Sequence, residues 1–217
     1  MKKPASIVSL DELGRTRLSK SFFMREFLYS EVANFHGIPN IPDNPDLAVK
    51  VGTRLCEELL EPLQAVFGKV VIRSAYRSKA VNGFCNEQQL AKKSGYTCAS
   101  NEKNYAGHIW DEPDANGLTG ATACIVIPWF ADRYEKREDW RAIAWWVHDH
   151  LPYSDMQFFP KLAAFNISWH EKPRREIYSY IEPKGWLTKQ GEPNHLGTHA
   201  EWYPGFPALV KNLSVGL

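Results

Sequence analysis

The sequence predicts an α+β fold, helices packed on a small antiparallel sheet, and three observations carry that expectation. Leu47, Val51, Leu55, Leu59, Leu63 and Val66 recur at helical spacing early in the chain. Val70-Val71-Ile72 and residues 121–127 are short apolar runs rich in β-branched residues. Two further strand-like segments, 155–159 and 164–169, come late, so helices precede most of the sheet.

Taken in order, residues 1–20 are polar and read as an extended N-terminal arm. Ser21-Phe22-Phe23-Met24-Arg25-Glu26-Phe27 opens a helix with Ser21 as its cap. The proline-rich loop G-I-P-N-I-P-D-N-P follows. The helix over 46–67 ends at Gly68. The strand at Val70 runs into S-A-Y-R-S, and K-A-V-N starts another helix. Residues 83–117 are polar, rich in Asn, Gly and Lys, and read as an insertion placed to cover a cleft. Pro128 closes the strand 121–127, and a helix over 133–150 presents Trp140, Ile143, Ala144, Val147 and Leu151 on one side. The segment 182–217 lacks periodicity and reads as a tail wrapping the domain, which itself spans 21–181.

The 217 residues fit one domain with appendages, large enough to bury a core without disulfides or metal. Lys and Arg number 26 against 25 Asp and Glu, which argues against a whole-surface nucleic-acid binder. No apolar run spans a membrane and Asp11 and Glu12 interrupt any leader, so the expected location is the cytoplasm. Cys56, Cys85, Cys98 and Cys124 lack C-x-x-C spacing and are expected to be thiols; Cys85 and Cys98 flank one polar loop and would pair in an exported protein.

The segments F-F-M-R-E-F, G-I-P-N-I-P, L-L-E-P-L-Q-A-V-F-G-K-V-V-I-R-S-A-Y-R-S and A-V-N resemble, in order and spacing, the D-alanyl-D-alanine carboxypeptidase-like zinc peptidases. That family shares its fold with the Hedgehog signalling domain and includes bacterial cell-wall peptidases and phage endolysins. The resemblance covers roughly residues 21–180, with S-A-Y-R-S followed by V-N as its strongest piece. It implies a zinc ion with three protein ligands and an open position for water. It also implies that Arg77 contacts substrate.

Laid on this chain, the family's pattern S-x-H-x-x-G-x-A-x-D falls on A-N-G-L-T-G-A-T-A-C. The serine position is Ala115, the histidine position Gly117 and the aspartate position Cys124; the late histidine position is Asn166. All three implied ligands are replaced, so no metal or other cofactor is expected. The preferred reading is a degenerate peptidase-like protein, not a zinc peptidase, that binds a peptide-like or anionic ligand in the former catalytic cleft. The expected ligand-binding residues are Ser74, Tyr76, Arg77, Asn116, Cys124 and Asn166. One alternative is a zinc-dependent cell-wall peptidase with a rebuilt set of His108, Cys124 and His170. Another is a structural or accessory module of a phage or mobile element.

The remaining candidates carry blander readings beside functional ones. Cys124 is either a nucleophile with His108 or His170 as base, or a small buried thiol. Arg77 is either a fork for an anion or the partner of Glu61. Lys161, His170, Lys172, Arg174 and Arg175, near Trp169, Tyr178 and Tyr180, are either a local nucleic-acid or glycan edge or a solvated strand. His148 and His150 read as solvated helix-end residues, His195 and His199 as a weak structural-metal pair, and Trp145 and Trp146 as core with one half-exposed face.

Overall fold

In the computed structural model, which describes residues 1–209, helices pack against a six-stranded mixed sheet. The chain begins with α1 (Ile7–Gly14), α2 (Met24–Phe27) and α3 (Glu31–His36). Helix α4 (Pro45–Leu55) continues through a π-helical turn (Cys56–Leu60) into α5 (Glu61–Phe67). Strand β1 (Val71–Ser74), α6 (Lys79–Leu90) and α7 (Asn101–Asn104) follow. The second half holds β2 (Gly120–Val126), α8 (Pro128–Glu135), α9 (Arg141–His150), β3 (Asp155–Phe158), β4 (Phe165–His170), β5 (Glu176–Ser179) and β6 (Gly185–Thr188). The strands lie in the order β1-β2-β4-β3-β5-β6.

The expected mixture of helices and strands is present, with one correction: β3 and β5 pair parallel, so the sheet is mixed and not wholly antiparallel. Strand alternation gives the sheet two faces of different chemistry. Ala121, Ala123 and Ile125 of β2, Ile167 of β4, Phe158 of β3 and Ile177 of β5 are buried at the back against the helices. The long helix 45–67 supplies Val51, Leu55, Leu59 and Leu63 to that core. Asn44 caps its start by accepting from the Leu47 N–H, Pro45 occupies the first turn, and Gly68, at φ 79°, ends it.

Several boundaries differ from expectation. Residues 1–20 are not an extended arm: Ser6 and Ser9 form a capping box for α1, and Leu13 and Leu18 are buried. Ser21 caps no helix; its hydroxyl and N–H both go to the Glu61 carboxylate, joined by Ser19. Helix α6 runs through the first part of the supposed insertion, to Leu90. The helix expected over 133–150 is two, separated where Arg137 adopts φ 73°.

Cys85 and Cys98 are disulfide-bonded, correcting the expectation of four thiols; Cys56 and Cys124 are free and buried. Helix α6 presents Cys85, and the loop beyond Leu90 returns along it to bring the two Cα atoms within 5.8 Å. Asn86 Nδ2 donates to the Cys98 carbonyl at 2.8 Å and holds the same return.

Residues 195–203 contact α9 through histidines whose roles differ from those expected. His148 is buried; its Nδ1 meets the Tyr153 hydroxyl at 2.7 Å and its Nε2 the His195 carbonyl at 3.0 Å. His199 is also buried, bonded to the Asp149 carboxylate at 2.7 Å and to the Asn194 carbonyl at 2.9 Å. Its ring stacks on Trp145 at 3.8 Å between centroids. Trp145 and Trp146 are both core residues. Residues 210–217 of the expected tail lie outside the described residues.

Candidate functional site

The front of the sheet carries one row of cross-strand partners through all six strands. Ser74 of β1 pairs with Cys124 of β2, Cys124 with Asn166 of β4, and Asn166 with Gln157 of β3. Gln157 pairs with Tyr178 of β5, and Tyr178 with Trp186 of β6. Partners in register project to the same face, so these six side chains form a continuous front row. Beside it run Thr122 and Ser168, whose hydroxyls are 2.7 Å apart, and Asp155, which accepts from Ser168 at 3.0 Å.

The loop after α6 covers part of this face and makes a cleft of about 1340 Å³. It crosses close above β2: the Thr122 N–H donates to the Gly107 carbonyl at 3.0 Å, and the Trp110 indole to the Thr122 carbonyl at 3.1 Å. Its far end is tied to the start of α4, where the Asp111 carboxylate accepts from the Asp43 N–H at 2.7 Å. The loop delivers His108 into the cleft.

Arg77 forms the cleft wall at the end of β1. Asn40 pins the turn that carries it, accepting from the Ser78 N–H at 2.7 Å and donating to the Tyr76 carbonyl at 3.0 Å. The Arg77 N–H donates to the His108 carbonyl at 2.8 Å. Its guanidinium donates to Asn82 Oδ1 at 3.2 Å and contacts Cys98 Sγ at 3.0 Å, and makes no ion pair among the described residues. The expected alternative partner, Glu61, is taken up by Ser19 and Ser21. Burial lowers the Arg77 pKa to about 10. It remains a cation at neutral pH, and at least three of its five N–H donors are unclaimed by these contacts.

His108 is buried, with Nδ1 2.7 Å from the Ala75 carbonyl. A carbonyl only accepts, so Nδ1 carries the proton and Nε2 is left as the acceptor, on the side of the Asn166 amide. Burial, reinforced by the neighbouring Arg77 charge, holds its pKa down to about 3, so the ring is neutral. Burial also pushes the Cys124 thiol up to about 11, despite Arg73 and Arg77 nearby. A thiol held protonated is a poor nucleophile, which disfavours the nucleophilic reading of Cys124.

Of the sequence-derived binding residues, Ser74, Arg77, Asn116, Cys124 and Asn166 all line the cleft. Tyr76 does not: it is buried in the core against Trp110, because S-A-Y-R-S leaves the strand and turns this ring inward. Gly117, set at the family's histidine position, is an exposed turn residue at φ 76° with open space around it. His108 is the histidine that reaches Asn166. His170 sits at the far end of β4 opposite Gly120, four residues or about 13 Å from Asn166. Its ring nitrogens meet Asp114 at 3.4 Å and the Lys172 backbone at 3.0 Å. The rebuilt set of His108, Cys124 and His170 is not assembled.

The donors present do not fit zinc. His108 and Cys124 are the two zinc-ligating residue types beside the position implied by the resemblance, the third place is the Asn166 amide, and among the described residues no three His, Cys, Asp or Glu side chains are grouped to hold a metal ion. Of the expected basic group, His170, Lys172 and Arg174 line the cleft with Tyr180, while Arg175 and Trp169 are directed elsewhere. Arg174 pairs with Asp155 at 3.0 Å and Glu176 at 3.1 Å; Arg175 reaches the His148 and Leu151 carbonyls; Trp169 lies at the back with Glu58. Gln157, Thr122 and Asp155 are front-face residues that sequence reasoning missed; their placement at alternate positions from buried Phe158, Met156 and Ala123 was the available signal.

No protein-family model matches the chain, and searches of curated proteins and of solved structures find no match either. Among the described residues no helix is long and apolar enough to cross a membrane.

Proposed function

We propose that the cleft binds an anionic group of a peptide-like ligand, a terminal carboxylate in the first instance, without metal-assisted hydrolysis. The scaffold would be that of the zinc peptidases the sequence resembles, with the catalyst lost and the binding arginine kept. One observation carries this reading. Arg77 is a charge held in a cleft wall by two neutral partners; Glu31, also in the cleft lining, favours its charge, but among the described residues no carboxylate forms an ion pair with it. Burying an unpaired cation costs stability, and such a cost is retained where a ligand supplies the missing anion. The polar row Ser74, Cys124, Asn166 and Gln157 lies beside it and offers amide donors and acceptors to a peptide backbone. The Cys85–Cys98 disulfide is of the kind that persists outside the cytosol, and supports action in an oxidising compartment.

The test is calorimetric titration with short peptides, D-alanyl-D-alanine among them, each as the free acid and as the C-terminal amide. The acid is expected to bind at least ten-fold more tightly than the amide, and Arg77→Gln to level the two. Equal binding of acid and amide by the unaltered protein would overturn the reading. So would chelator-sensitive hydrolysis of these peptides by protein carrying one zinc per chain.

A further inference from the structure

The front row changes chemistry as it leaves the covered cleft. Across β1, β2, β4 and β3 it is polar; on β5 and β6 it becomes Tyr178 and Trp186, with ring centroids 5.2 Å apart. Tyr180 lies 5.2 Å from Tyr178, and Phe159 stacks on Tyr180 at 5.6 Å with planes 12° from parallel. Phe159 and Tyr180 also line the cleft, so the aromatic ledge and the cleft floor are one surface. Tyr180 is 45% and Trp186 51% exposed, far more than the core tryptophans.

Three cations near the ledge sit beside carboxylates. Lys184 pairs with Glu182 at 3.3 Å, Lys189 with Glu192 at 4.0 Å, and Arg174 with Asp155 and Glu176. A single-stranded nucleic acid needs uncommitted cations to follow its phosphates. The cations flanking Tyr178 and Trp186 have carboxylate partners, whereas Arg73 and Lys172 of the cleft lining make no ion pair among the described residues, so binding of an oligothymidylate is the competing outcome. A neutral ring with an apolar face and a hydroxyl rim suits the ledge better. Exposed Tyr180 and Trp186 each meet Tyr178 edge-to-face, at 70° and 79°, and offer separate apolar ring faces, that of Trp186 shared with Lys189 at 5.6 Å, with O–H and N–H donors at their edges.

We propose that Tyr178, Tyr180 and Trp186 form a carbohydrate subsite that stacks the pyranose rings of a neutral oligosaccharide along the open end of the cleft. From Phe159 through Tyr180 and Tyr178 to Trp186 successive ring centroids lie 5.6, 5.2 and 5.2 Å apart, a run longer than one pyranose ring, so an extended chain fits better than a monosaccharide. The subsite stands on the ledge itself and does not require the anion site at Arg77.

The experiment titrates the full chain with cellotetraose, with a β-1,4-linked tetramer of N-acetylglucosamine and with an eight-residue oligothymidylate, read by calorimetry and by tryptophan fluorescence. At least one tetrasaccharide is expected to bind and to shift the fluorescence. Trp186→Ala is expected to weaken that binding ten-fold or more, and Trp186→Phe to keep binding while losing most of the fluorescence change. Arg77→Gln should leave saccharide affinity within two-fold, which separates this subsite from the carboxylate site. Each variant's melting temperature is recorded to show that it folds, and Tyr180→Ala repeats the test should Trp186→Ala fail to fold. Binding of the oligothymidylate alone, binding of none of the three, or saccharide binding indifferent to Trp186 and Tyr180 would overturn the proposal.

Discussion

The backbone of Ala106 crosses so close above Gly120 that a Cβ on the glycine would drive into the Ala106 carbonyl oxygen and lie 2.8 Å from the His170 ring. Loop and strand meet there backbone to backbone, and that contact sets how near the covering loop, and with it His108, lies to the sheet.

Gly120→Ala should therefore destabilise the fold, since neither backbone nor the buried loop can yield cheaply. A loss of about 2–3 kcal/mol is expected from urea unfolding, in the range of overpacked cores. An unchanged midpoint would show that the loop is not seated on β2 as described.

Arg77 predicts the opposite sign. Replacing an unpaired, partly buried cation with an apolar side chain of similar length removes its desolvation cost, so Arg77→Met should raise stability by about 1 kcal/mol. The same variant should lose discrimination between peptide acid and amide. A clear fall in stability would mean that the arginine is a structural strut and would weaken the anion-binding reading.

Acid sensitivity follows from His108 and His148, whose folded pKa values are held to about 3 and about 4. Both are neutral when folded but take a proton when unfolded below about pH 6.5. Stability should thus fall as pH drops from about 6.5 towards 4, by about 2–3 kcal/mol per pH unit for the pair once the unfolded histidines are charged. His148→Gln should roughly halve that slope. Parallel stability curves for the two proteins between pH 7 and 4.5 would contradict this assignment.

The disulfide closes a loop across a sequence separation of 13 residues, and that loop leads straight into the cleft cover. Its removal should cost about 3 kcal/mol by the loop-entropy argument. Cys85→Ser/Cys98→Ser is expected to show this in denaturant midpoints, and reduction of the unaltered protein should reproduce it. No response to reductant would indicate that the cysteines are thiols in the isolated protein.

What the sequence disclosed tracks how strongly each segment repeats. The 46–67 helix and the strand at 121–127 were legible because leucines and β-branched residues recur with a period. The resemblance brought Cys124 and Asn166 to one site, and the register makes them cross-strand neighbours. The loop beyond Leu90 has no period, so spacing alone pointed to Gly117, an exposed turn residue, while His108 is the loop histidine that lines the cleft. Thr122, Ser168 and Gln157 were missed because a polar side chain on a strand suggests solvent, whereas here it faces a covered cleft. Tyr76 was misplaced because the chain leaves extended geometry at Ala75, and alternation no longer tells which way a side chain points.

The π-helical turn at Cys56–Leu60 explains an oddity in the leucine pattern itself. Leu47, Val51, Leu55, Leu59 and Leu63 are each four apart, and four such steps in an ideal α-helix would rotate about 160° from first to last. The stripe would wind off the core before reaching Leu63. The wider turn takes up an extra residue and resets the phase, so α4 and α5 both present leucines to the same core. Residues 56–60 thus work as a vernier between two helical rulers. A single deletion among them would be felt mainly downstream, where everything after Leu60 would turn by about 100° against the sheet.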